Sequence, residues 1–191
     1  MDCDVLTLSG LWNSGPQHWQ TLWEARYPQL RRVAHRDFND PGKDEWVAEL
    51  DAAVGASQGA PILVAHSLGC ILAAHWAHSG SPLRAAGAML VAPSDVEAAS
   101  YPIDANGFAP VPMMKLPFPC IVVYSSDDSF VTRERARAFA DAWGARFIEI
   151  GNAGHVNADS GHGEWPEGER ILLDFCAQLR ANSSVASNSS M

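Results

Sequence analysis

The sequence predicts an α/β protein built on one mostly parallel, six-stranded sheet with helices on both faces. Short apolar runs of strand length alternate along the chain with longer segments of helical periodicity, which is the pattern of such sheets. The 191 residues suit a single domain whose core needs no disulfide or metal to be stable. We therefore expect one domain over residues 1–180 and a polar, disordered tail over residues 181–191.

The predicted strands are short runs bounded by turn-forming residues. Most are rich in Val, Leu or Ile, and the second has the weakest signal of the set. In chain order the strands are predicted at residues 5–8, 30–35, 62–65, 85–93, 120–126 and 146–150.

The predicted helices follow the strands. Trp46, Leu50 and Val54 recur at helical spacing in the second helix, and Thr132 is a plausible N-cap of the fourth. The helices are predicted at residues 17–27, 43–56, 68–78, 132–143 and 167–179. The Pro- and Met-rich stretch "DANGFAPVPMMKLPFP" has no clean period, so we expect an irregular excursion too short for a large lid.

Composition excludes several classes of function. The net charge of −9, without clustered Lys or Arg, argues against nucleic-acid binding. No apolar run approaches the roughly 20 residues that a membrane-spanning helix needs. The first residues, "MDCDVLTLSG", lack the basic start of a signal peptide, so a cytoplasmic protein is expected.

Cofactor and metal signatures are missing from the sequence. There is neither a G-x-G-x-x-G after a strand nor a Walker pattern, so we expect no nucleotide cofactor. Asp159, His162 and Glu164 lie close together, but their spacing matches no metal motif. The four cysteines are far apart in sequence and are expected to stay reduced.

The third predicted strand ends in an abrupt polar junction, "PILVAHSLGC", which contains His66 and Ser67. A serine between a strand and a helix, with small residues two positions to either side, is typical of a nucleophile elbow. Ala65 and Gly69 are those neighbours, and Ala65 stands where the usual G-x-S-x-G pattern has glycine. By itself, the pattern equally fits a serine that caps a buried helix.

A serine hydroxyl becomes a good nucleophile only with a base and a group that orients the base. In this architecture the acid and the histidine should follow Ser67 on later strands. Asp127 and Asp128 follow the fifth predicted strand, and His155 follows the sixth. His162, on the same long loop as His155, is a rival candidate for the base.

Four segments carry a resemblance to a known family: "GLWNSGPQHWQTLWE", "HSLGC", "SSDDSFV" and "GNAGHVNADSGHGEWPEG". Over about residues 4–180 the chain resembles the small YdeN-like serine hydrolases, the retinoblastoma-binding-protein-nine-like group of the α/β-hydrolase superfamily. The resemblance implies a three-layer α/β-hydrolase fold with a minimal lid. The L-x-C-x-E motif of retinoblastoma-protein partners is missing, so that binding role is not implied.

The resemblance also implies roles for individual residues. Ser67 would be the nucleophile and His155 the general base. The family's acid precedes a proline, which Ser129 replaces here. This places the acid at Asp128 and leaves Asp127 as a surface or turn residue.

The surrounding loops supply further candidates. An oxyanion hole is expected from the backbone amides of Leu68 and Leu11. Trp12 and Trp165 lie in loops at the same end of the sheet and are candidate substrate-binding residues, although packing of the loops explains their large rings equally well.

Other residues near the predicted site are expected to be structural. His18 and Trp19 should anchor the start of the first helix. Asn157, Asp159 and Ser160 should bond within their own loop and hold the histidine in place.

The sequence therefore predicts a serine hydrolase that cleaves a small ester, thioester or amide through an acyl-serine intermediate. Two alternatives stay open, a non-catalytic binding protein with the same fold and an acyltransferase. The acyl group, the leaving group, the oligomeric state and the role of residues 94–119 are not determined by the sequence.

Overall fold

The computed structural model describes residues 3–102 and 106–188, with side chains described up to Asn182. Strands and helices alternate as the sequence predicts. The strands are β1 Val5–Leu8, β2 Leu30–Arg32, β3 Ile62–His66, β4 Gly87–Val91, β5 Cys120–Tyr124 and β6 Arg146–Glu149. The helices are α1 Trp19–Arg26, α2 Lys43–Gly55, α3 Leu68–Ala77, α4 Arg133–Trp143 and α5 Pro166–Asn188.

The six strands form one sheet in the order β2-β1-β3-β4-β5-β6. Each pair of neighbours in this sheet is parallel, which confirms the predicted fold class. The order reverses direction at β1, because β2 lies on one side of it and β3 on the other. Open α/β sheets bind their ligands at the carboxyl ends of the strands beside such a reversal. The loops that follow β1 and β3 are therefore where a site is expected.

Helix boundaries follow local capping chemistry. Thr132 caps α4, and its hydroxyl accepts a hydrogen bond from the amide of Arg135. The same helix ends at Gly144, whose φ of 69° is the left-handed conformation that glycine adopts most easily. His18 caps α1 through its Nδ1 atom, which accepts a hydrogen bond from the Gln20 amide at 3.2 Å.

Each face of the sheet carries its own apolar core. One core packs α2, α3 and α4 against the sheet around Trp46, Phe139 and Trp143. The other packs α1 and α5 against the opposite face around Trp19 and Trp23. Nearly the whole of α3 is buried, as expected for a helix that is apolar on all sides.

Two boundaries differ from the sequence prediction. Strand β2 ends at Arg32 rather than near residue 35. The described backbone of residues 181–188 continues α5 beyond the predicted helix end at residue 179, because the polar residues extend a helix that is already formed. The disordered tail stays a prediction. Residues 189–191 lie outside the described part of the chain. The division at residue 180 stays a prediction.

The segment between β4 and β5 lies flat on the protein and forms no helix in its described residues, 92–102 and 106–119. Phe108, Val111 and Leu116 are buried in the core beneath it. Trp143 fastens it from α4 by donating a hydrogen bond to the Pro112 carbonyl at 2.8 Å. Its described residues therefore form no helical lid over the sheet, as the prediction of a minimal lid requires.

Candidate active site

Ser67 occupies a sharp turn between β3 and α3. Its φ of 56° and ψ of −123° lie in a region that residues other than glycine rarely adopt. The turn is possible only because its neighbours are small. A Cβ atom on Gly69 would lie 2.5 Å from the Leu8 carbonyl oxygen, and one on Gly10 would lie 2.7 Å from the Ser67 Cβ atom.

A row of hydrogen bonds joins the three side chains that the sequence singled out. The Ser67 Oγ atom lies 2.9 Å from His155 Nε2. His155 Nδ1 lies 2.9 and 3.0 Å from the two carboxylate oxygens of Asp128. Because a carboxylate only accepts, Nδ1 carries the proton, and Nε2 is left to accept from the Ser67 hydroxyl. The Asp128 side chain is fully buried, and that of His155 is 9% exposed.

The structure distinguishes between the neighbouring aspartates. Asp128 accepts hydrogen bonds from His155 and from the Phe130 amide at 2.9 Å. Asp127 is exposed and accepts from the Gly154 amide at 2.7 Å and from the Ser125 hydroxyl at 2.8 Å. These hydrogen bonds, from Ser125 first and then Gly154, lower the pKa of Asp127. Asp127 therefore fastens the histidine loop to the loop after β5, a role that the sequence analysis missed.

The histidine loop is braced within itself. Gly154 has a φ of 55°, and a Cβ atom there would lie 2.6 Å from the Ser160 Cβ atom. Asn157 and Ser160 exchange hydrogen bonds of 2.9 and 3.0 Å between amide and side chain, as expected. Asp159 does not share this bracing and is exposed at the edge of the pocket. His162 bonds at 3.1 Å to the Ser160 carbonyl, so it is His155 that the structure brings to the serine.

Two further histidines lie near His155, and one of them contacts it. The His66 Nε2 atom donates to the His155 carbonyl at 2.8 Å, and the His18 ring lies 4.7 Å from the His66 ring. Burial, and then the charges of Arg32 and His155, lower the pKa of His18 to about 3. Burial likewise lowers the pKa of His66 well below its usual value. Both rings are therefore neutral supports of the site at ordinary pH.

Trp19 completes the anchoring that the sequence predicted for the start of α1. Its Nε1 atom donates to the carbonyl of Val156, the residue after His155, at 2.9 Å. Trp19 is fully buried. The start of α1 therefore also holds the histidine loop in place.

A pocket of about 370 Å³ opens onto Ser67 and His155. Its apolar lining includes Leu11, Trp12 and Phe130. Trp12 is 55% exposed, so its ring is available to a ligand.

The expectation for Trp165 needs correction. Trp165 does not line this pocket; it is 5% exposed and stacks 5.8 Å from Trp23 in the core. An aromatic ring in a loop packs inward when neighbouring rings can bury it. Here Trp19 and Trp23 of α1 bury Trp165.

Of the two residues proposed for an oxyanion hole, Leu11 lines the pocket and Leu68 directly follows Ser67. Leu68 is the first residue of α3, and Leu11 belongs to the tight turn after β1. Within the described chain, neither amide has a hydrogen-bond partner. Gly10 brings the two segments together, since its backbone packs against Ser67. Free amides at a helix start are suited to receive negative charge.

Ser94 is a buried residue of the site that the sequence analysis did not identify. Its Oγ atom lies 2.6 Å from the Ser67 Oγ atom. The Tyr101 hydroxyl interacts with Ser94 from the pocket side, and burial raises the pKa of Tyr101 to about 12. A usable signal was present in "VAPS", which places a serine just beyond the strand that neighbours β3.

Comparison with known families identifies the family of the chain. The sequence profile of the serine hydrolase family matches residues 5–174. The chain belongs to the serine hydrolase family. No curated protein sequence gives a significant match.

Solved structures extend the comparison for this serine hydrolase. A protein of Pectobacterium atrosepticum, described as a YdeN-like hydrolase, is 31% identical, with a TM-score of 0.81 over 92% of this chain and 91% of that one. The ydeN gene product of B. subtilis is 18% identical, with a TM-score of 0.73 over 91% and 98% of the two chains. Esterase 2 of Thermogutta terrifontis is 15% identical, with a TM-score of 0.68 over 92% and 82%. The predicted resemblance to YdeN-like hydrolases is thereby confirmed.

Neither a membrane-spanning helix nor a metal site occurs among the described residues. No helix among them is both long and apolar enough to cross a bilayer. They also contain no group of three or more His, Cys, Asp or Glu side chains that could hold a metal ion. The cytoplasmic location stays a prediction.

Proposed function

We propose that this serine hydrolase cleaves small carboxylic esters through an acyl-Ser67 intermediate, with His155 as the general base and Asp128 orienting the imidazole. The observation that carries the proposal is the continuous hydrogen-bonded row from Ser67 to Asp128 at the mouth of an open pocket. The row has the donor polarity that serine activation requires.

Each group has a defined task in the reaction. His155 removes the Ser67 proton as the oxygen attacks the ester carbonyl, and Asp128 stabilises the imidazolium that results. The carbonyl oxygen becomes negative and is received by the free amides of Leu68 and Leu11. His155 then passes its proton to the leaving alcohol. A water molecule, activated by the same imidazole, releases the acid and restores Ser67.

The pocket favours small substrates. Its volume of about 370 Å³ is at the low end of the roughly 300–1,000 Å³ that small-molecule sites occupy. Leu11, Trp12 and Phe130 give it apolar walls suited to a short acyl chain. Esters rank first and amides second, because an amine is a poorer leaving group than an alcohol. Esterase 2 of T. terrifontis and the thioesterase BorB share the fold and are consistent with this range.

A fluorophosphonate probe tests the nucleophile directly. The wild-type protein and the control Ser81→Ala, a half-buried serine that does not line the pocket, should be labelled, and Ser67→Ala should not. Labelling of Ser67→Ala at the wild-type rate would contradict the assignment. Folded wild-type protein that resists the probe would favour the non-catalytic binding protein instead.

A panel of p-nitrophenyl esters tests the substrate class. We expect kcat/KM to be highest for short acyl chains and to fall once the chain exceeds the pocket. Product that forms on an added alcohol, at the expense of hydrolysis, would support the acyltransferase alternative.

A further inference from the structure

We infer that Ser94 is a catalytic residue whose hydroxyl donates a hydrogen bond to the Ser67 oxygen and stabilises it as it loses its proton. The inference rests on the proposed function and adds a fourth side chain to it. Ser94 is fully buried, and its Oγ atom lies 2.6 Å from the Ser67 Oγ atom. It therefore touches a reacting atom.

The direction of this hydrogen bond follows from counting protons. Asp128 can only accept, so the His155 Nδ1 proton points to it and Nε2 must accept. The single proton of the Ser67 hydroxyl therefore points to His155 Nε2. Ser67 can then only accept from Ser94, whose own proton must point toward it. The row of donors runs one way, from Ser94 to Asp128, and each bond polarises the next.

The effect of this bond grows during the reaction. When His155 takes the Ser67 proton, negative charge develops on the Ser67 oxygen, and the Ser94 hydrogen bond becomes charge-assisted. The same happens in reverse when the acyl-enzyme breaks down and the Ser67 oxygen leaves. Ser94 keeps its proton in both steps, so the proton still passes only between Ser67, His155 and the substrate oxygen. An interaction that is stronger in the transition state than in the ground state accelerates the reaction.

The position of Ser94 is fixed from two sides. The next residue, Asp95, donates its amide to the Phe130 carbonyl at 2.9 Å, which ties it to the loop that carries Asp128. Arg135 of α4 holds the Asp95 carboxylate at 3.3 Å. A hydroxyl held in this way needs no reorganisation when charge appears beside it.

Tyr101 places a second hydroxyl next to Ser94, on the side of the pocket. It lines the pocket and interacts with Ser94, and its pKa of about 12 keeps the phenol protonated at any working pH. We expect its contribution to act through Ser94 and to be smaller.

The test compares Ser94→Ala and the isosteric Ser94→Cys with a matched control, Ser9→Ala. Ser9 is equally buried, and its hydroxyl has no hydrogen-bond partner among the described residues. Both Ser94 variants should lose about 10- to 100-fold in kcat with p-nitrophenyl acetate, as expected for a lost hydrogen bond to a charged group. KM and the unfolding midpoint should match those of Ser9→Ala. The rate of fluorophosphonate labelling should fall by the same factor as kcat.

A double-mutant cycle separates a role in the reaction from a role in folding. In the wild-type protein, Tyr101→Phe should lower kcat by about two- to fivefold, which corresponds to the loss of one hydrogen bond between neutral groups. In the Ser94→Ala background, Tyr101→Phe should have no further effect on kcat. The inference would be overturned if the kcat values of Ser94→Ala and Ser94→Cys were both within twofold of the value for Ser9→Ala. Wild-type protein without labelling or turnover would overturn the proposed function itself, which is a separate result.

Discussion

Gly69→Ala is the substitution for which the structure gives the sharpest expectation. A methyl group at this position would lie 2.5 Å from the Leu8 carbonyl oxygen and 2.9 Å from both the Leu8 carbonyl carbon and the Ser9 carbonyl oxygen. All three are backbone atoms at the end of a central strand, so no side chain can rotate away. The start of α3 must instead move away from β1.

The size of that movement can be worked out. Ordinary contacts begin near 3.4 Å, so the closest pair must separate by about 0.9 Å. Overpacking of this kind costs about 1–3 kcal/mol of the free energy of unfolding. Ser67 directly precedes α3, and its 2.9 Å bond to His155 would stretch beyond hydrogen-bonding range if it followed the helix. A displacement near 1 Å at a reacting group costs about a hundredfold in rate.

The assay pairs urea unfolding with the rate of fluorophosphonate labelling. Gly59→Ala is the matched control, because a Cβ atom on Gly59 would meet nothing within 4 Å. We expect Gly59→Ala to behave as the wild-type protein in both measurements. Gly69→Ala with wild-type stability and a wild-type labelling rate would refute the close packing of α3 on β1.

Two other expectations concern the supports of the site. Asp127→Ala removes the acceptor that holds the Gly154 amide, so kcat should fall about tenfold while the exposed-surface control Asp174→Ala keeps wild-type turnover. His18 is neutral when folded but takes up a proton when unfolded below about pH 6.5, so the free energy of unfolding should fall as pH drops from 6.5 toward 3, by about 1.4 kcal/mol per pH unit. Urea unfolding at pH 7.5 and 5.0 measures how much of the free energy of unfolding is lost between the two pH values. His18→Asn, which keeps a helix cap, should lose less than the control His78→Asn. Equal losses in the two variants would contradict the burial of a neutral His18.

The elements of the fold could be predicted because they depend on local composition. Buried strands such as Ile62–His66 are apolar runs of the right length, and Thr132 and Gly144 mark the ends of α4 by their own capping chemistry. The last helix was underestimated, since a helix already nucleated can continue through polar residues that would not begin one.

The candidate site could be predicted only in part. Ser67 was recognisable because the strain of its turn demands small neighbours, which the sequence displays. The pattern of residues alone left Asp127 and Asp128 open as the acid, and the family resemblance favoured Asp128. Two adjacent carboxylates differ in role through the direction in which the loop turns, and that depends on contacts with the loop after β6.

The sequence by itself therefore determined the alternation of strands and helices, the parallel sheet and the position of the candidate nucleophile Ser67, because each depends on residues that are neighbours in the chain. Tertiary structure decided which histidine reaches Ser67, that Trp165 packs into the core, and that Ser94 lies against Ser67. These contacts join segments far apart in the chain. They exist only when the parallel strands bring their carboxyl ends to one edge of the sheet.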